Sequence, residues 1–90
     1  MKAVAVTPSQ KEVGIIEHPS PALHQDDEVR VRTIDVGICG TDREICTFVY
    51  GDPPSGSEHL VLGHEAMGEI VEVGANVSTL KVGDFVVPSV

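Results

Sequence analysis

The sequence predicts a mostly β protein, a small bent barrel or sandwich that carries one short helix. Three observations predict it. Short valine-rich stretches alternate apolar and polar residues with period two, the signature of half-buried strands. Nine glycines and six prolines punctuate the ninety residues, so no stretch runs far without a turn signal. The period changes to that of a helix only once, just after Gly40.

Taken in order, "KAVAV" (2–6) is a short strand, and "EVGIIEH" (12–18) a second that ends at "PSP", where two prolines stop any ladder. "EVRVRTIDVGIC" (28–39) is the clearest strand. Val29 and Val31 face one way, and Ile34, Val36 and Ile38 then carry the apolar residues in the other parity. Period two admits that change only through a bulge or sharp bend near Thr33. "TDREICTFVY" (41–50) offers Ile45, Phe48 and Val49 as one helical stripe. Thr41 and Glu44 match a Thr-x-x-Glu capping box, and Gly51 is a C-terminal stop. "GDPPSGSE" (51–58) is a polar loop, and "HLVLGHEAMGEIVEVG" (59–74) an extended, glycine-interrupted strand. "KVGD" (81–84) is a turn and "FVVPSV" (85–90) a last strand. No closing element follows it, which predicts a fragment of something longer.

Composition narrows the function classes. Ninety residues suffice for one small domain with one modest core. Phe48, Tyr50 and Phe85 are the only aromatics, so the core is expected to be aliphatic, with valine its main supplier. Fourteen acids against six bases give a net charge of −8, which disfavours a phosphate backbone or an anionic membrane as partner. The simplest meaning of the acidity is solubility; adaptation to high salt is the sharper one. The longest apolar run is the four residues 3–6, too short for a transmembrane helix. "MKAVAVTP" contains no signal core, so a cytoplasmic protein is expected. The spacing Cys39-x6-Cys46 is no CxxC pair, and a reducing cytosol argues against a disulfide.

Two residues offer metal chemistry: Cys39 in "GICGTD" (37–42) and His64 in "LGHE" (62–65). A thiolate and a neutral imidazole are ordinary zinc donors, and a catalytic zinc takes three protein ligands and leaves one position open. On residue types alone, a buried thiol and a strand histidine with a local partner are the simpler reading. The neighbours shift the balance. Cys39 stands where a strand gives way to a helix, His64 follows a glycine, and Glu65 adds a carboxylate beside the imidazole. The Thr41 hydroxyl is expected to cap the helix, and its one donor and two lone pairs leave room for a second task. Cys46 is expected to be a helix residue without a metal role, and His18 and His24 to be exposed. His59 either faces a cleft or lies on the surface. Asp26, Asp27 and Glu28 read as a solvated charge run.

"GICGTD" and "GHE" together resemble the zinc-containing medium-chain dehydrogenases of the alcohol dehydrogenase superfamily, and the likeness runs from "MKA" to "VGDFVVP". Within that superfamily, "GICGTDREI" and "HLVLGHEA" are most similar to the archaeal glucose dehydrogenases. The resemblance implies a GroES-like bent β-barrel, with residues 1–90 the N-terminal part of the catalytic domain. It implies that Cys39 and His64 are zinc ligands, with Glu65 the carboxylate beside the metal and an alternative ligand. Thr41 becomes the hydroxyl that relays the substrate proton, and Asp42 a structural residue near the site. The implied full-length enzyme oxidises a sugar or polyol hydroxyl, glucose at C1 in the most specific form, with zinc and NAD or NADP. A homo-oligomer is compatible with it.

Two departures accompany the resemblance. The family's further zinc ligand and its structural-zinc cysteines belong beyond residue 90. No Gly-x-Gly occurs, so the Rossmann fingerprint for the nicotinamide cofactor is not in this chain, and the ninety residues alone are expected to be inactive. A stand-alone GroES-like structural or co-chaperonin-type protein is the competing class, but it has no use for the set Cys39, Thr41, His64 and Glu65. Zinc-free quinone reductases generally lack the Cys and His.

Overall fold

A computed structural model describes residues 1–89. The elements are β1 (Lys2–Thr7), a 3₁₀ turn (Pro8–Gln10), β2 (Glu12–Glu17), β3 (Val29–Gly37), α1 (Gly40–Cys46), β4 (Leu60–Val61), β5 (Glu65–Val73) and β6 (Phe85–Val86). They form two compact units. Each unit holds one three-stranded antiparallel sheet, in the orders β2-β1-β4 and β3-β5-β6. No helix among the described residues is long and apolar enough to cross a membrane.

In the first unit, β1 and β2 pair in unbroken register from Lys2↔Glu17 to Thr7↔Glu12. The turn between them puts Lys11 in the left-handed region. On the other side of β1, Ala5 and Val6 pair with Val61 and Leu60. The central strand is therefore the one that buries its side chains: Ala5, Val6 and Thr7 are buried, while Val13 and Ile15 of β2 are exposed. The Thr7 hydroxyl meets its need for a partner at His59 Nδ1, 2.9 Å away.

The second unit is organised by the long β3–β5 ladder. Its register shifts twice, between Arg30 and Val31 and between Thr33 and Asp35. At the second shift β3 carries the extra residue, Ile34, which is the bulge that the parity change announces. Val36, paired with Ala66, thereby returns to the face on which Val31 pairs with Ile70. At the first shift the extra residue is Val71, on β5. Arg30–Glu72 and Arg32–Glu69 bridge the opposite face at 3.1 and 2.7 Å; exposed pairs of this kind contribute little each. Gly68 is buried against Val31 and Arg32 of β3.

Several expectations are corrected. The stretch 59–74 is two strands in different sheets, β4 and β5, broken at Gly63, whose φ of 116° ends the extended run. Valine is not the main core supplier: the buried apolar residues are Ala5, Val6, Ile45 and Ile70, because most valines lie on edge strands or outward faces. The helix spans Gly40–Cys46 rather than 41–50. It ends at Thr47, and Phe48 turns left-handed at φ 65°, so Gly51 is not its stop. Val49 accordingly leaves the stripe and is 77% exposed. The last strand covers Phe85–Val86, and Val90 lies outside the described residues.

The charge run 26–28 is not wholly solvated either. The Glu28 carboxylate accepts the backbone N–H groups of His24 (2.8 Å) and Gln25 (3.2 Å), closing the turn before β3. Those two bonds, His24 first, hold the Glu28 carboxyl below its ordinary value. A carboxyl depressed in the folded state stabilises the fold above its unfolded pKa and loses that contribution as pH falls through the folded value. Glu28→Gln is therefore expected to flatten the acid side of the stability curve. The measurement is the urea midpoint of both proteins at about pH 6 and about pH 3; parallel losses would mean that the turn does not depend on the charge.

Candidate metal centre

His64 and Glu65 stand where the β3–β5 ladder ends. Gly37, the last residue of β3, pairs with Glu65, the first of β5. Cys39 follows Gly37 by two residues, and His64 directly precedes Glu65. One ligand atom of His64 lies within 4.8 Å of a Glu65 carboxylate oxygen. Cys39 and His64 are half-buried and Glu65 is exposed.

The local structure fixes Cys39 firmly. It is the N-cap of α1, in extended conformation at φ −120° and ψ 179°. Its backbone N–H donates to Asp42 Oδ2 at 2.9 Å, and its sulfur faces the Asp42 N–H in return. This is a capping box of Cys39 and Asp42, two residues ahead of the expected Thr41–Glu44 pair. Thr41 is already inside the helix at its second position, so its hydroxyl is not the cap. The sequence pattern misled because cysteine is not a favoured N-cap residue, whereas Thr-x-x-Glu two residues later fits the motif. Asp42 is 6% exposed, a buried carboxylate that stabilises the segment bearing the thiol.

The chemistry of the donor set fits zinc. A thiolate, an imidazole nitrogen and a carboxylate oxygen are the three donor types zinc takes, at 2.0–2.3 Å. Tetrahedral ligand atoms at such bond lengths stand roughly 3.3–3.8 Å apart, so the His64–Glu65 separation within 4.8 Å closes with small side-chain rotations. Three protein ligands would leave one position open to substrate.

The remaining candidates lie elsewhere. Cys46 is a free, half-buried thiol at the last position of α1. His24 is exposed as expected, but His18 is half-buried, and its Nδ1–H donates to the Pro19 carbonyl at 2.9 Å. His59 lines a cleft of about 440 Å³ together with His18 and Glu17. Sequence reasoning overlooked Gly37, because nothing in "VGIC" reveals which residue stands across from it.

Known proteins resemble this chain over most or all of its length. The family model of the alcohol dehydrogenase GroES-like domain matches residues 25–90. Glucose 1-dehydrogenase 1 of Vulcanisaeta moutnovskia is 46% identical over 93 aligned residues, covering 100% of this chain and 26% of that protein. The Haloferax mediterranei glucose dehydrogenase in complex with NADP, Zn and gluconolactone superposes with a TM-score of 0.84 at 43% identity, over 100% of this chain and 24% of the other. An alcohol dehydrogenase from Thermus sp. ATN1 gives 0.80 at 32% identity, over 97% of this chain and 24% of its own. The chain thus spans about a quarter of the length of the relatives it matches.

Proposed function

The chain belongs to the alcohol dehydrogenase GroES-like domain family, and from that premise we propose that it is the metal-holding part of a zinc-dependent, NAD(P)-linked dehydrogenase acting on a sugar or polyol hydroxyl. Glucose, oxidised at C1 to a lactone, is the most specific substrate we infer. The observation that carries this reading is the donor set itself, the Cys39 thiol of "GICGTD" with the His64 imidazole and Glu65 carboxylate of "GHE", within a chain that matches the family over residues 25–90.

In this reading residues 1–90 are the N-terminal part of the catalytic domain, and the cofactor-binding fold belongs to the rest of the protein. Cys39 and His64 hold the metal, with Glu65 beside it as a third or alternating ligand. Zinc bound there would supply Lewis-acid polarisation of a substrate oxygen. The nicotinamide supplies the hydride acceptor. The Thr41 hydroxyl, with no capping duty, accepts the proton of the substrate hydroxyl and passes its own onward. The acidic chain, at −8, suits a small neutral sugar in the cytoplasm better than nucleic acid or an anionic membrane.

Two measurements test the reading on the ninety residues. With glucose or other alcohols, NAD or NADP, and zinc present, no turnover is expected; turnover above background would show that hydride transfer needs nothing outside this chain. Titration with cobalt(II), a spectroscopic stand-in for zinc, is expected to give a weak 1:1 complex with thiolate-to-metal charge transfer. A titration without that band would sink the metal assignment.

A further inference from the structure

Gly37 occupies a position that its backbone conformation does not explain. Its φ is not among the positive values, and the residue is exposed, so neither a left-handed turn nor core packing demands a glycine there. What distinguishes it is the partner across the last rung. A Cβ built on Gly37 would stand 3.2 Å from Glu65 Oε2, 3.5 Å from Glu65 Cβ and 3.7 Å from the Glu65 carbonyl oxygen. All three of its nearest neighbours belong to one residue. Directly opposed residues in an antiparallel pair ordinarily set their side chains side by side. Here the Glu65 carboxylate folds over bare backbone, in space that any other residue would fill.

We propose that Gly37 is a positioning residue whose missing side chain is the seat that holds the Glu65 carboxylate at the end of the β3–β5 ladder. The seat is a matter of this chain's geometry; its consequence for metal binding rests on the function proposed above. The distances say how the seat fails. A contact of 3.2 Å is tight but not prohibitive, and the atom met is the far end of a flexible side chain. An added methyl therefore turns the carboxylate away rather than unfolding the ladder.

Gly37→Ala tests this with two readouts. In the metal-free chain, three-bond couplings across Glu65 χ1 report one dominant rotamer for the parent and an averaged or different rotamer for Gly37→Ala, while the urea midpoint stays close to the parent's. Unchanged couplings would overturn the proposal. In the second readout cobalt(II) affinity is measured for the parent, Gly37→Ala, Glu65→Ala and the double variant. Gly37→Ala is expected to weaken binding about three- to tenfold in the parent, and less than about twofold where Glu65 is already alanine. Equal losses in both backgrounds would show that the methyl acts through something other than Glu65, and would overturn the proposal. If none of the four proteins binds cobalt, the metal reading falls, and the couplings alone decide the seat.

Discussion

Cys39→Ser is expected to abolish zinc and cobalt binding by the chain, while Cys46→Ser leaves it within about twofold. The difference follows from position. Cys39, the N-cap of α1, supplies the thiol of the proposed donor set, and Cys46 lies at the far end of the same helix. A serine hydroxyl is protonated at neutral pH and is a poor zinc ligand, so the substitution removes the softest donor of three. The parent affinity itself is expected to be modest. Four-ligand structural sites reach about 10–16 kcal/mol of apparent binding energy, and this chain offers three donors, one of them exposed. The same substitution carries its own folding control. Serine is a preferred N-cap, so Cys39→Ser is expected to hold or slightly raise the urea midpoint while it destroys binding. Titration calorimetry on both variants decides the matter. Equal losses, or a loss confined to Cys46→Ser, would mean that the wrong sulfur has been assigned.

Gly68→Ala is expected to be strongly damaging, costing about 3 kcal/mol or more. A Cβ there would fall onto the Val31 side chain and lie 2.5 Å from the Arg32 carbonyl oxygen. Neither neighbour can yield cheaply, because both residues sit in the ladder opposite Gly68. Gly14 provides the contrast. It lies in β2, and a Cβ there meets nothing within 4 Å, so Gly14→Ala is expected to be neutral or mildly stabilising. Urea unfolding of the two variants measures the gap. Similar midpoints would mean that β3 and β5 do not approach as closely at Gly68 as the ladder requires.

The parts of the fold legible in the sequence are those written in local pattern. The bulge near Thr33 was readable because the apolar residues of 28–39 change parity there. Its counterpart at Val71 was not, since "EIVEV" places apolar residues in both parities and hides a one-residue shift. Likewise the period of 59–74 announces extended chain but cannot say that residues 60–61 and 65–73 join different sheets; pairing depends on partners distant in sequence. At the site, "GICGTD" and "GHE" carried the resemblance, and a bare residue-type argument would have stopped short of it. The capping box was misread by two positions because the cap is a cysteine. The seat at Gly37 was invisible for a related reason: the meaning of that glycine lies in Glu65, twenty-eight residues on, and only the register joins them.

The two bulges also constrain how this chain can change in length. Val71 adds a residue to β5 and Ile34 adds one to β3, so the offsets are opposite, and the rung Gly37↔Glu65 returns to the register that Val29↔Val73 began with. Deleting either extra residue alone would slip every pair beyond it by one position, exchanging the faces of Glu65 and Ala66 relative to β3. Deleting both would straighten the ladder and leave its end in register. Among descendants of this sequence, insertions and deletions in these two strands are thus expected to arise in compensating pairs, one on each strand, with a single event surviving only where the other has already occurred.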